Sequence, residues 1–297
     1  MKLYKSDYIM QVIAHIVMGL LSVLALIPFV LLVEASFTDE KVAIMNGFSF
    51  FPEKWGLGAY RYLAGEWSQI GNAYLVTIVV TVVGTALGLA IATMLAYGLT
   101  RDIVGASFIN FYVVFTMLFS GGMVSSYYVW VNYFHVKNTI WALILPNLLM
   151  NAFNIILLKN YFRNSIPESL IESAKLDGAG LFKTFSRIVL PLSKPILATI
   201  GLMNAINYWN DWTNGLYYID NKNLYSLQQV LNNINENASF LACNSTQMSS
   251  MMHGTASIPT VTMRMAIAVI GILPMVIAYP FFQKYFVKGI TIGAVKG

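Results

Sequence analysis

Charged side chains are scarce in this chain. Only 10% of its 297 residues are Asp, Glu, Lys or Arg, whereas a soluble domain carries about a quarter. Hydrophobic residues make up 57%, so the composition argues against a soluble domain and predicts a polytopic membrane protein. The basic residues behind the net charge of +5 neither form a tract nor interleave with aromatic residues. We therefore expect no nucleic-acid partner.

Cysteine and histidine are also rare. The single Cys243 cannot form an intramolecular disulfide, and the three histidines are too scattered to suggest a metal site. The stretch "GAGLFKT" looks like a phosphate-binding loop, but Phe182 stands where that loop needs a glycine directly before Lys183. No nucleophile–base pair and no dinucleotide fingerprint appears. We predict a chain that is not an enzyme and has no catalytic residue, metal site or bound cofactor.

Long apolar runs are what the sequence has in abundance. A bilayer core about 30 Å thick needs roughly 20 apolar helical residues to cross it. No internal repeat and no second soluble domain is visible, so residues 1–297 are predicted to form a single transmembrane domain. The fold class we predict is an all-α polytopic membrane protein with six transmembrane helices, over about residues 12–34, 73–99, 107–131, 139–158, 196–216 and 262–282.

The distribution of basic residues predicts the orientation. With both termini in the cytoplasm, twelve basic residues fall in inner segments and six in outer ones. Lys and Arg concentrate in cytoplasmic loops, so we predict cytoplasmic termini, a cytoplasmic loop over 159–195 and a cytoplasmic tail over 285–297. The inner set is Lys2, Lys5, Arg101, Lys159, Arg163, Lys175, Lys183, Arg187, Lys194, Lys284, Lys288 and Lys296, and the outer set is Lys41, Lys54, Arg61, Lys137, Lys222 and Arg264.

The cytoplasmic loop contains a short polar helix, "PESLIESAKLDGAG". Pro167 suits the first turn of a helix, where its missing N–H costs nothing. Glu168 and Glu172 favour the positive end of the helix, and Asp177-Gly178 predicts its end, since Gly is the usual residue at a left-handed exit. Because such a short helix is marginal alone, we expect it to dock against a partner.

The same loop carries a spaced motif. Glu172-Ser173-Ala174 is followed after three residues by Gly178, and further on by Ile188 and Leu190-Pro191. This pattern resembles the EAA loop of ABC importer membrane subunits, with Ser173 where the family has alanine. Other positions in the loop resemble the carbohydrate branch of that family: Asp177, Ala179, Phe185 and Pro195.

Two further stretches carry the resemblance. The end of the chain, "YFVKGITIGAVKG", is similar to the tail of the second permease subunit of maltose-type importers, which reaches into the interface between the ATPase subunits. The stretch "NYWNDW" is similar to the fifth core span of sugar permeases. With the span count, the resemblance covers nearly the whole chain, though residues 217–261 match least.

The resemblance implies a type I ABC importer permease fold in the inner (plasma) membrane of a prokaryote. It implies a heterodimer with a second permease subunit, two ATP-binding subunits that hold ATP and Mg, an extracytoplasmic solute-binding protein and a carbohydrate substrate, in contact with membrane lipid. It also implies that the loop helix and the tail couple to the ATPase through Glu172, Ser173, Ala174, Asp177, Gly178, Lys288, Gly293 and Lys296.

Polar residues line one face of two predicted spans. Polar groups at membrane depth usually face the bundle interior or a water-filled cavity. Offsets of three, four and seven place each set on one helical side: Asn147, Asn151 and Asn154 in the fourth span, and Asn204, Asn207, Asp211 and Asn214 in the fifth. Amides and carboxylates suit sugar hydroxyls, and aromatic rings suit sugar C–H faces. The predicted substrate path is Asn151, Asn204, Asn207, Tyr208, Trp209, Asn210, Asp211 and Trp212. The alternative is structural, since Asn also forms hydrogen bonds between membrane helices.

Two other function classes stay open at this point. A secondary transporter driven by an ion gradient would show internal repeats and broken helices around an ion site. A membrane scaffold would have no path of its own and no reason to keep an ATPase-docking loop at this spacing.

Overall fold

The computed structural model describes residues 5–101, 103–243 and 260–294. Within these ranges the regular structure is helical, apart from an isolated antiparallel bridge between Thr38 and Trp55. This confirms the all-α prediction. The chain divides into two compact units, one drawn from residues 1–68 and 231–273 and the other from residues 69–230 and 274–297.

The helices vary widely in length. One π-helical turn, Val129–Tyr133, extends α6, and another, Phe185–Val189, extends α10. In chain order the helices are α1 (Lys5–Ser36), α2 (Glu40–Asn46), α3 (Gly58–Gly65), α4 (Trp67–Gly98), α5 (Ala106–Leu118), α6 (Gly122–Tyr128), α7 (Trp141–Ile144), α8 (Ala152–Ser165), α9 (Glu168–Leu176), α10 (Leu181–Thr184), α11 (Leu190–Leu192), α12 (Lys194–Asn210), α13 (Thr213–Tyr218), α14 (Leu227–Cys243) and α15 (Thr260–Ala294).

Three described helices are long and apolar enough to cross a membrane: Tyr8–Ser36, Trp67–Gly98 and Val261–Pro280. The number rises to five if each of two bent pairs is one span. One pair joins α5 to α6 with its π turn and bends by 119°, and the other joins Leu181–Leu192 to α12 and bends by 81°. The six spans of the sequence remain a prediction.

The apolar run 139–158 differs from a single helix. It consists of α7, an irregular stretch and the first half of α8. Pro146 has no N–H and disfavours a helical conformation at the residue before it, and Asn147 has a left-handed φ of 61°. The chain becomes helical again where the Asn151 side chain accepts a hydrogen bond from the Asn154 N–H at 3.3 Å and caps α8.

The bend between α5 and α6 has a local cause. Gly122, at the start of α6, has a φ of 78°, a conformation that only glycine adopts without strain. The Ser120 hydroxyl accepts a hydrogen bond from the Gly122 N–H at 3.2 Å. The turn "FSGG", residues 119–122, therefore interrupts an apolar run that hydrophobicity alone would assign to one helix.

In the unit that contains α1, α2 supports the start of α15. The Glu40 carboxylate accepts hydrogen bonds from the backbone N–H groups of Val261 and Thr262 at 2.8 and 2.9 Å. These are first-turn N–H groups that have no partner inside the helix. A carboxylate at this end also complements the helix dipole.

In the other unit, small residues let α4 approach its neighbours closely. Gly84, Gly88, Ala92 and Ala96 are all buried on one side of α4. A Cβ atom on Gly84 would overlap the Tyr208 ring, and one on Gly88 would lie 2.7 Å from the Leu149 carbonyl oxygen. The stripe is therefore a packing surface against α12 and the irregular stretch before α8.

Candidate functional site

The loop helix forms as the sequence predicts. It spans Glu168–Leu176, with Pro167 directly before it. Glu168 stands in its first turn and Lys175 in its last, which complements the helix dipole at both ends. The predicted helix and the observed one therefore differ by one residue at the start.

The end of α9 has two hydrogen bonds typical of a Schellman motif. The Gly178 N–H donates to the Lys175 carbonyl at 3.0 Å, and the Ala179 N–H donates to the Ala174 carbonyl at 2.9 Å. Gly178 has a φ of 72°, yet a Cβ atom there would meet nothing within 4 Å. The backbone conformation, and not a shortage of space, therefore requires glycine.

Helix α9 has a buried face and an exposed one. Ile171 is buried, and so is Ala174, one of the predicted coupling residues. The other predicted coupling residues of this segment are exposed: Glu172, Ser173, Asp177 and Gly178. Leu176 is 89% exposed, which is unusual for a large apolar side chain beside a charged turn. Other large apolar side chains in this loop are also exposed: Leu170, Leu181 and Phe182. The exposed face is thus mixed polar and apolar, as a docking surface requires.

The buried face of α9 belongs to a core shared with the long helices. Ile171 packs in one apolar cluster with Tyr97 of α4, Phe162 of α8 and Phe185. The Tyr97 ring centroid lies 5.1 Å from that of Phe185 and 6.5 Å from that of Phe162. The buried face of α9 is therefore joined to α4 and α8 in one packed cluster.

The two asparagine faces meet in one hydrogen bond. The Asn154 side-chain amide of α8 donates to the Asn204 oxygen of α12 at 2.8 Å, and both residues are buried. Further along, the Tyr161 hydroxyl donates to the Leu192 carbonyl at 3.4 Å, so the helices run antiparallel. Asn204 therefore has the packing role that the alternative interpretation gives it.

Two further polar side chains donate hydrogen bonds to backbone carbonyls of the irregular stretch around Pro146. The Tyr208 hydroxyl donates to the Ile144 carbonyl at 2.9 Å, and the Asn214 amide donates to the Pro146 carbonyl at 3.0 Å. Both side chains are buried. Buried carbonyls without helical partners need such donors, so Tyr208 holds the break in α7–α8 in place.

Asp211 follows α12 and organises the next turn. Its carboxylate accepts hydrogen bonds from the backbone N–H groups of Thr213 and Asn214 at 3.2 and 3.4 Å. Its own carbonyl accepts one from the Ser226 hydroxyl at 3.2 Å. Asp commonly caps the start of a helix in this way.

The other predicted path residues separate into two groups. Asn151, Asn207, Asn210 and Trp212 are exposed. Trp209 is buried beside an apolar cavity of about 660 Å³ between α4, α12 and the second half of α15. Within the described ranges, the predicted set therefore does not converge on one polar pocket. The sequence signal for the interruption between α7 and α8 was Pro146-Asn147. The high hydrophobicity of the run 139–158 outweighed this signal in the prediction of one span.

The predicted tail contacts lie where side chains are not described: Lys288 and Gly293 fall in α15, and Lys296 lies outside the described residues. Among the residues that are described, no three His, Cys, Asp or Glu side chains cluster as metal ligands would.

Comparison with known proteins gives consistent matches. The family model of the binding-protein-dependent transport system inner membrane component matches residues 84–292. The polygalacturonan/rhamnogalacturonan transport system permease protein YtcP of Bacillus subtilis is 40% identical over 286 residues, covering 95% of this chain and 97% of its own. Protein LplC of the same organism is 37% identical over 296 residues, covering 99% and 97%.

A solved structure has the same fold. It is a chain of a bacterial ABC transporter involved in the import of the acidic polysaccharide alginate. The TM-score is 0.75 at 27% sequence identity, and the match covers 96% of this chain and 99% of that one.

Proposed function

The chain belongs to the family of binding-protein-dependent transport system inner membrane components, and we propose from this premise that it forms half of the translocation path of an ATP-driven importer for an oligosaccharide. It is a multi-pass subunit of the inner membrane and not an enzyme. The sugar class is supported by the names of its relatives, which include permeases for polygalacturonan/rhamnogalacturonan and for melibiose, raffinose and stachyose.

The observation that carries the proposal is the geometry of α9. Its exposed face presents Glu172, Ser173 and Asp177 beside the exposed apolar side chain of Leu176. Its buried face is anchored through Ile171 in the core of the long helices. A helix exposed on one side and anchored on the other suits a rigid link between an ATPase cleft and the membrane helices.

The proposed partners are a second permease in a heterodimer, two ATP-binding subunits that hold ATP and Mg, and an extracytoplasmic solute-binding protein. Both termini lie in the cytoplasm in this proposal, and so does α9. The tail residues Lys288, Gly293 and Lys296 would reach the ATPase pair. ATP hydrolysis would then take place on the partner subunits.

The broken helices that a secondary transporter predicts are present, at Pro146 and between α5 and α6. They do not favour that reading, because the family match spans both breaks. The ATP-driven importer is therefore the better explanation of the same feature.

For the sugar path we propose the exposed side of α12. Asn207 and Asn210 lie there, together with the apolar side chains of Met203 and Ile206. Because α8 and α12 are antiparallel, the exposed Asn151 falls on the same side of the Asn154–Asn204 bond as Asn207. In this proposal the buried Tyr208 and Trp209 support the face from the other side of α12. Asp211 and Trp212 follow the end of the helix, and Trp212 flanks the face.

Purification of the importer through this chain tests the coupling assignment. We expect the wild type to retain a second permease and two ATPase subunits by mass spectrometry. Glu172→Ala and Gly178→Ala should lose ATPase, the latter because alanine in a left-handed conformation costs about 1–2 kcal/mol. Gly180→Ala is the matched control, since Gly180 has a negative φ and a Cβ atom there meets nothing.

Two results would contradict the proposal. ATPase retention that is equal in Gly178→Ala, Glu172→Ala and Gly180→Ala would remove α9 as the docking helix. A chain that purifies alone, under conditions that keep related importers intact, would remove the importer itself.

The path is tested separately by uptake into vesicles. Asn207→Ala and Asn210→Ala should reduce transport of labelled oligosaccharides, with Asn164→Ala, an exposed asparagine of α8, as the control. Equal transport in all three variants would assign the exposed face of α12 to something other than the substrate.

A further inference from the structure

A polar cavity of about 420 Å³ opens where α4 ends and α5 begins. It is closed on its other sides by the second half of α8 and the first turn of α9. Three cationic side chains line it, Arg101, Lys159 and Arg163, together with one carboxylate, Glu168. The predicted coupling residues of α9 do not line this cavity, so the coupling assignment leaves it unexplained.

The cations of this cavity are incompletely paired. The Lys159 ammonium donates to the Asn110 side-chain oxygen at 2.6 Å, which uses one of its three hydrogens. The Arg101 Nε atom is buried and has no hydrogen-bond partner among the described residues. None of the three cations takes part in an ion pair within the described ranges, where the pairs found are Lys54–Asp39 and Lys137–Asp220. Buried donors usually have an acceptor, so the Arg101 Nε–H can donate to a bound anion.

Arg101 also lines a second cavity, of about 230 Å³, which is apolar. Met94, Ile103 and Phe182 are among the side chains around it. The Arg101 guanidinium carbon lies 4.8 Å from the centre of the Tyr97 ring, a cation–π contact that fixes its plane. The arginine therefore stands between a cationic cavity on one side and an apolar one on the other.

We infer that the two cavities together bind one anionic phospholipid. Its phosphate lies in the cationic cavity against Arg101, Lys159 and Arg163, and the start of one acyl chain lies in the apolar cavity. Guanidinium groups bind phosphate oxygens through paired hydrogen bonds, and basic pockets between membrane helices bind lipid headgroups.

The charges select the headgroup. Among the described residues that line the cavity, three carry a formal positive charge and one is a carboxylate, a balance that favours an anionic lipid over a zwitterionic one. The Glu168 carboxylate is an acceptor, so a headgroup that bears hydroxyls, such as that of phosphatidylglycerol, satisfies it as well. Only the placement of the site in the cytoplasmic leaflet rests on the proposed function.

The test is lipid retention by the whole assembly. The complex that purifies through this chain is reconstituted in nanodiscs of phosphatidylcholine with phosphatidylglycerol, and retained lipids are counted by native mass spectrometry. The wild type should retain phosphatidylglycerol in preference to phosphatidylcholine. Arg101→Gln and Arg163→Gln should each weaken this retention by about fivefold. Arg163 is exposed, so its variant stays informative if Arg101→Gln does not fold.

The matched control is Arg187→Gln, an exposed arginine of the same cytoplasmic loop that lines neither cavity. It should retain phosphatidylglycerol as the wild type does. Equal loss in Arg187→Gln would show a general charge effect and overturn the site. So would equal retention of both lipids by the wild type.

Two further results separate the lipid from other anions. Protection from heat by inorganic phosphate, without lipid retention, would assign the cavity to a free anion and overturn the lipid. An assembled complex without phosphatidylglycerol, beside an isolated chain that retains it, would show that an ATPase side chain fills the cavity. Retention by a chain that purifies without any ATPase would support the lipid site while the importer proposal fails.

Discussion

Replacing Gly88 by alanine should destabilise the unit that contains α4, because the new methyl group meets backbone and not a flexible side chain. The added Cβ would lie 2.7 Å from the Leu149 carbonyl oxygen, whereas ordinary carbon–oxygen contacts are about 3.3–3.6 Å. The carbonyl would have to retreat, and with it the stretch that leads into α8. Overpacking of this kind costs about 1–3 kcal/mol, and the gain from removing a helical glycine offsets about 0.5–1 kcal/mol of it.

The expected result is a net loss of about 1–2 kcal/mol. This corresponds to a fall in melting temperature of several degrees, at about 2–4 °C per kcal/mol for domains of 150–250 residues. The measurement is thermal unfolding of the purified protein in detergent, followed by size-exclusion fluorescence.

Gly201→Ala is the matched control for Gly88→Ala. Gly201 is also a buried glycine inside a long helix, but its Cβ would lie 3.7 Å from the nearest atom, a Leu89 methyl, which is ordinary contact. Its melting temperature should be unchanged or higher. If the two variants melt alike, or if Gly88→Ala melts at or above the wild type, the close approach of α4 to Leu149 is not a constraint and the reasoning fails.

Three further predictions concern other contacts. Asn154→Leu and Asn204→Leu should each cost about 1–3 kcal/mol, and a double-mutant cycle should show a coupling of at least about 0.5 kcal/mol; additive losses would deny the bond between α8 and α12. Glu40→Ala should lower stability by about 1–2 kcal/mol through loss of the α15 cap, with Glu53→Ala as the exposed control, and equal melting of the two would contradict the capping role. The hydrogen bond from Lys137 holds the pKa of the Asp220 carboxyl below its usual value, so its stabilisation is complete above the unfolded pKa of about 3.9 and is lost as the pH falls through the lower folded pKa. The difference in melting temperature between wild type and Lys137→Gln should shrink in that acid range, and a difference that stays constant to pH 3 would refute this.

The loop helix was predictable because its signals are local. Pro167, the acidic first turn and Asp177-Gly178 act within a few residues of themselves, and the structure gives them the expected positions. Signals of this kind come from residue types, such as proline and glycine, that restrict the local backbone and can be recognised without knowing any distant contact.

The breaks in the apolar runs were harder to predict. Hydrophobicity measures whether a segment avoids water and says little about whether its backbone is continuous. Pro146-Asn147 and Gly121-Gly122 signal the interruptions, but the cost of a break in a membrane depends on distant donors. Here these are the Tyr208 hydroxyl and the Asn214 amide, which lie more than 60 residues away in sequence.

The interpretation of the polar faces depended on the same distant contacts. Asn204 and Asp211 have suitable chemistry for a sugar, yet in the structure one bonds to Asn154 and the other caps α13. A sequence shows which residues share a helical face but not which neighbour that face meets. Four members of the predicted set are exposed and could still meet a ligand: Asn151, Asn207, Asn210 and Trp212.

The apolar cluster around Tyr97 makes the attachment of α9 to the long helices stiff. A hinge would let α9 swing while the long helices stayed still, so that any force on it would be absorbed near the surface. Ile171 instead sits in one close-packed body with Phe162 and Phe185, and close-packed interiors have low compressibility. A displacement of α9 would therefore be passed to α8 and α12, whose residues Phe162 and Ile200 share this cluster.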